Sequence, residues 1–104
     1  MSIYSKRLLQ AGGLTGSVSA TVPDGKIWIL RDLDCVVHSG DPGVIVLHGA
    51  GGQDIYIGDT ATTSTTLWYG WRGRQILVAG ETVTIEVAAG NWDATLSGYE
   101  LTSS

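Results

Sequence analysis

The chain has 104 residues, 10 acidic against 6 Lys and Arg side chains, and a net charge of −4 at pH 7. That length suits one hydrophobic core, and the acidic balance disfavours nucleic acid, whose binding rests on cations neutralising phosphates. No apolar run approaches the roughly 20 residues that a membrane-crossing helix needs, so a membrane partner is not expected either.

At the N-terminus, Lys6 and Arg7 precede only Leu8 and Leu9 before the glycines. This lacks the apolar stretch of a signal peptide and predicts no export by that route. Segment 1–12 reads as an edge strand or an arm reaching to a neighbour. Leu14, Val18, Ala20 and Val22 then alternate with Thr15, Ser17, Ser19 and Thr21, the period-two pattern of a half-buried strand, and Pro23-Asp24-Gly25 closes it with turn chemistry.

From 26 to 38, Ile27, Ile29, Leu33, Cys35 and Val37 fall on one face, with Trp28 and Leu30 on the other. An apolar contribution to both faces suggests a strand covered on both sides or lying at a subunit contact. Cys35 has no partner for a disulfide and reads as an inert core residue. Val44–His48 is a short apolar strand. A glycine-rich connection leads to Ile55 and Ile57, expected inward with Tyr56 opposite, and then to a Thr-rich stretch over 61–66.

Leu67, Tyr69 and Trp71 alternate with Trp68 before an expected bend at Arg72-Gly73-Arg74, and Ile76–Val78 leads through Ala79-Gly80 into Thr82–Ala88 as a predicted hairpin. In the last strand Trp92, Ala94 and Leu96 point inward. Tyr99 and Leu101 share a face with them only if the chain slips by one residue at Ser97-Gly98, which predicts a β-bulge there. About eight short strands at this spacing indicate an all-β, single-domain antiparallel sandwich over 1–104, jelly-roll-like, with an immunoglobulin-like sandwich as the alternative.

Candidate chemistry is sparse. No Gly-x-Ser-x-Gly elbow is present, and His38 and His48 stand alone rather than in the paired spacing of a metal site. Asp32 and Asp34 share a strand face and could bind calcium with help from Asp41 or Asp59. They could equally be solvated or pair with Arg31, Arg72 or Arg74. No catalytic residue, metal or cofactor is therefore assigned.

The aromatic set is more informative. Trp28, Trp68, Tyr69, Trp71 and Arg72 are the types enriched at the centres of protein interfaces; they suit a core equally, and an exposed subset could stack on a glycan. Charged residues form only 15% of the chain, against roughly 25% in an average soluble domain, so self-association is expected, with a Ser/Thr-coated monomer as the other possibility.

The segments Pro23-Asp24-Gly25-Lys26-Ile27-Trp28-Ile29-Leu30-Arg31-Asp32, Trp71-Arg72-Gly73-Arg74-Gln75-Ile76-Leu77-Val78-Ala79-Gly80-Glu81 and Ser97-Gly98-Tyr99-Glu100-Leu101 resemble small virion proteins of tailed bacteriophages. The resemblance implies a non-enzymatic structural protein of the virion, assembled in the host cytoplasm. Its foremost form is a capsid decoration protein, commonly a homotrimer on the major capsid protein. The alternative it implies is a tail-fibre or receptor-binding module recognising host-surface glycan through Trp68 to Arg72.

Overall fold

A computed structural model describes residues 5–38, 42–59 and 68–102. Eight strands form in chain order: β1 (Ser5–Leu14), β2 (Ser17–Thr21), β3 (Lys26–Val37), β4 (Val44–His48), β5 (Asp54–Asp59), β6 (Trp68–Val78), β7 (Thr82–Ala89) and β8 (Trp92–Thr102). They make two antiparallel four-stranded sheets with orders β1-β8-β3-β6 and β2-β7-β4-β5. Of the successive strands, only β4 and β5 are neighbours in one sheet. Every other connection crosses between sheets, the winding of a jelly roll.

Alternation places one side of each sheet in the shared core. Leu30, Leu33, Ile45, Leu47, Ile85 and Leu96 are completely buried there, together with Trp92. The Trp92 indole donates to the Ala89 carbonyl at 3.0 Å and lies 5.7 Å from the Tyr69 ring, so its polar edge is satisfied inside the apolar packing. The outer face of the β2-β7-β4-β5 sheet carries hydroxyls instead. Ser19 bonds Thr84 at 2.8 Å and Thr21 bonds Thr82 at 3.0 Å, cross-strand pairs that the Ser/Thr alternation anticipates.

Four local expectations are corrected. The slip assigned to Ser97-Gly98 lies on the strand beside it: Leu30 pairs Gly98 and Asp32 pairs Ser97, leaving Arg31 as an extra residue in β3. β8 therefore keeps its phase, with Gly98 inward and Tyr99 and Leu101 on the outer face. β3 changes phase at Arg31, so Trp28 and Leu30 point inward with Leu33, Cys35 and Val37, while Ile27 and Ile29 point outward. Gly98 is where the two backbones close up. A Cβ there would overlap the Ile29 carbonyl oxygen and sit 3.2 Å from the Arg31 amide nitrogen.

The bend expected at Arg72-Gly73-Arg74 is likewise an irregularity within one strand. Leu30 pairs Gln75 and Asp32 pairs Arg72, so β6 spends one more residue than β3 over the same interval. The Ala79-Gly80 turn is tight, with the Glu81 amide donating to the Val78 carbonyl at 3.0 Å and Gly80 at φ 87°. It does not make a hairpin, because β7 pairs with β2 and β4 and not with β6. In β5 the register shift beside His48 turns Tyr56 towards the core and leaves Ile57 58% exposed.

Candidate functional site: an apolar outer sheet face

The aromatic candidates divide by strand alternation. Trp28 is 6% exposed, and its Nε1 donates to Glu100 Oε2 at 2.9 Å. Tyr69 and Trp71 pack against the core cluster. The Trp71 indole also lies over Gly73, where a Cβ would come within 2.5 Å of it. Arg72 projects from the opposite face, its Nη2 2.8 Å from Asp34 Oδ1 and its Nε 3.4 Å from Asp32 Oδ1. Trp68 pairs Val36 in the strand, but its side chain is outside the described residues. Tyr69, Trp71 and Arg72 thus share no outward platform on which a sugar could stack.

The remaining polar candidates are occupied by one another. His48 closes β4 with Nδ1 2.8 Å from Asp54 Oδ1 and Nε2 3.0 Å from Glu86 Oε1, one carboxylate from each flanking strand. The Glu86 hydrogen bond is the main cause holding its pKa above the ordinary imidazole value; burial opposes it, and Asp54 adds a smaller upward pull. His38 follows β3 in the other sheet, 3.7 Å from Asp93. Cys35 is buried; desolvation, with Asp34 second, pushes its thiol up to about 12, so the thiolate that reactivity needs is not formed near neutrality. Among the described residues no cluster of three metal-ligating side chains forms.

The feature that sequence reasoning missed follows from the β3 bulge. Because β3 changes phase at Arg31, its first half presents Ile27 and Ile29 outward. Pairing sets Ile29 between Ile76 and Tyr99, and Ile27 between Val78 and Leu101. Two apolar rows therefore cross three adjacent strands on the outer face, with Ile76 61% and Val78 49% exposed. Beyond the Ile29 row stand Arg31 and Arg74, the two residues at the irregularities. They share a hollow of about 230 Å3 with Ile29, Tyr99 and Leu101. The Arg31 guanidinium lies 5.7 Å from the Tyr99 ring centre, a cation–π distance. The available signal was the combined parity of β3 and β8, read on the wrong strand.

Fold and face together describe a jelly-roll sandwich that carries, among the described residues, two apolar rows on the outer face of one sheet. No family model matches the sequence, and no curated protein matches it. Among solved structures the chain resembles the core of Drosophila NLP, described in terms of pentamer formation and histone binding. The TM-score is 0.57 at 13% identity, covering 98% of this chain and 100% of that one. At this identity the shared property is the fold.

The comparison also overturns the expectation of a tailed-phage virion component, whether a trimeric capsid decoration protein or a glycan-reading tail-fibre module. The solved structure matched over the whole chain is described by pentamer formation and histone binding, not by a particle coat.

Proposed function

We propose that the chain is a non-enzymatic, self-associating protein-interaction module whose copies meet through the outer face of the β1-β8-β3-β6 sheet. One observation carries this reading: Ile76 and Val78 stand 61% and 49% exposed beside Ile27, Ile29, Tyr99 and Leu101 on adjoining strands. A contiguous apolar patch of this kind marks an association surface, whereas scattered single residues would not. The likeness in fold to a protein described by pentamer formation supports self-contact as a use of this architecture.

Light scattering across a range of protomer concentrations tests the reading. The parent associates, and Ile76→Lys with Val78→Lys holds it monomeric while leaving the folded spectrum intact. A parent that stays monomeric at every concentration refutes the proposal.

A second property is favoured by charge. On the outer side of the β2-β7-β4-β5 sheet, Asp54 and Glu86 keep 57% and 54% of their side-chain surface exposed while holding His48, and the chain carries a net −4. A basic protein segment is the partner that suits this face, as histone binding does in the description of the Drosophila NLP core. Titration with a lysine-rich histone tail peptide should show binding that weakens steeply with salt. Salt-independent binding, or none, would remove this second property and leave the first standing.

A further inference from the structure

At the irregularities of β3 and β6 the outer face is hollowed. Ile29, Arg31, Arg74, Tyr99 and Leu101 line a space of about 230 Å3. Register orders this lining along the strands. Leu101 stands in the Ile27 row, Ile29 and Tyr99 are partners in the next, and Arg31 and Arg74 lie past them. The hollow is therefore apolar in its first two levels and cationic in its third. The Arg31 guanidinium lies 5.7 Å from the Tyr99 ring centre. A guanidinium gives a ring its flat face and carries its N–H donors in its edge, so this contact leaves the edge to an acceptor.

No acceptor is in place. Among the described residues neither Arg31 nor Arg74 pairs with a carboxylate, and Arg31 Nε is shut from solvent without a hydrogen-bond partner. A buried donor left unmade destabilises, the more so on a cation. The acids nearby are engaged elsewhere. Asp32 and Asp34, farther along the same face, lie 3.4 and 2.8 Å from Arg72. Glu100 has the opposite phase from Tyr99 and bonds Trp28 Nε1 and Lys6 Nζ. Arg7, opposite Ser97 on β1, adds a further cation to this side and donates to Gln10. Around the hollow, Arg31, Arg72 and Arg74 thus face only Asp32 and Asp34, a positive balance in an acidic chain.

We infer that the hollow is a binding site for a small free carboxylic acid with an apolar body, the carboxylate on Arg31 and Arg74 and the body along Ile29, Tyr99 and Leu101. Paired guanidinium forks match the planar carboxylate. Inorganic phosphate would use the arginines and leave the apolar walls uncovered, and an uncharged lipid would leave the donors unmade. At about 230 Å3 the space is smaller than the roughly 300–1,000 Å3 of drug-sized sites, so the acid is a small one. A peptide terminus would bring backbone groups that also need partners. The hollow lies over β3 and β8, the inner strands of the order β1-β8-β3-β6, so it offers no open strand edge to them. The site needs no second copy, and its failure would leave the proposed self-association standing.

Titration of the parent with octanoate, followed by nitrogen-edited NMR spectra that include the arginine Nε–Hε signals, tests the site. Octanoate should saturate with a Kd on the order of 1 mM or below. It should move the Nε–Hε signals of Arg31 and Arg74 together with the amides of Ile29, Tyr99 and Leu101. Octanol lacks the charge and acetate lacks the apolar body, so each should bind about tenfold or more weaker.

Arg74→Gln, at an exposed position, should weaken octanoate about tenfold while keeping a parent-like far-UV spectrum, and Arg31→Gln should do the same. If Arg31→Gln loses its fold because Nε is packed in the sheet, Arg74→Gln decides alone. No saturation up to about 10 mM overturns the site. So does octanol or acetate binding as tightly as octanoate, or an Arg74→Gln protein binding octanoate like the parent. An acetylated peptide ending in Ala-Ala-Leu presents the same carboxylate on a backbone, and tighter binding of that peptide than of octanoate overturns the free acid as the ligand.

Discussion

Gly98→Ala probes the place where the molecule has least room. The added Cβ would overlap the Ile29 carbonyl oxygen and lie 3.0 Å from its carbon and 3.2 Å from the Arg31 nitrogen. All three are backbone atoms of β3, so no side chain can rotate away. Relief requires β8 and β3 to part at the centre of their sheet, where both also hold outer neighbours. Overpacking costs typically 1–3 kcal/mol, and a clash that is wholly with backbone belongs at the upper end, about 3 kcal/mol. For a domain near 100 residues that lowers Tm by roughly 12–20 °C.

Gly16→Ala is the internal control, since nothing lies within 4 Å of a Cβ there. With no clash to relieve, it should be neutral or stabilise by up to about 1 kcal/mol, through a less flexible unfolded chain. Both are read by circular dichroism melts at one fixed protomer concentration, because self-association itself raises Tm. A Gly98→Ala protein melting with the parent would show that the bulge does not hold the strands as described.

Replacing Trp92 with Phe removes the donor to the Ala89 carbonyl and part of a fully buried ring. We expect a loss of about 2 kcal/mol in urea unfolding, and no loss would mean that the indole hydrogen bond is dispensable. The His48 clamp should make stability depend on pH. Its folded pKa is raised above the unfolded value of 6.5, so the stabilisation is complete below 6.5 and is lost as pH rises through the folded value. Asp54→Asn with Glu86→Gln should flatten that decline, and an unchanged pH profile would show that the clamp does not contribute. Cys35 should resist a maleimide reagent in the folded protein at neutral pH and react on unfolding; rapid labelling of the native state would contradict its burial.

The sandwich itself was legible because Ser and Thr alternate with apolar residues in β2 and β7, and because glycine-rich turns divide the strands. Register was less so. The parity break at Ser97-Gly98 was visible, but a glycine marks a close approach without saying which strand carries the extra residue, and the residue proved to be Arg31. Ala79-Gly80 has the chemistry of a tight turn, yet turn chemistry alone does not say whether the next strand pairs or crosses to the facing sheet. The aromatic candidates misled for a related reason. Trp28, Tyr69 and Trp71 are suited to interface and interior alike, and only the phase of their strands put them inward. The apolar rows on the outer face were hidden by the same uncertainty, since Ile27 and Ile29 look like core until the bulge is placed.

Arg31 is the one residue of β3 that the alternation does not use. With it deleted, Leu30 would directly precede Asp32, so Leu30 and Trp28 would stay in phase with Leu33 on the inner face while Ile29 and Ile27 stayed outside. A codon-length gap at this point would thus spare both the core and the apolar outer rows and remove only the cation beside Tyr99, and natural variants of the fold should tolerate losing the extra residue here better than losing its neighbours in the strand.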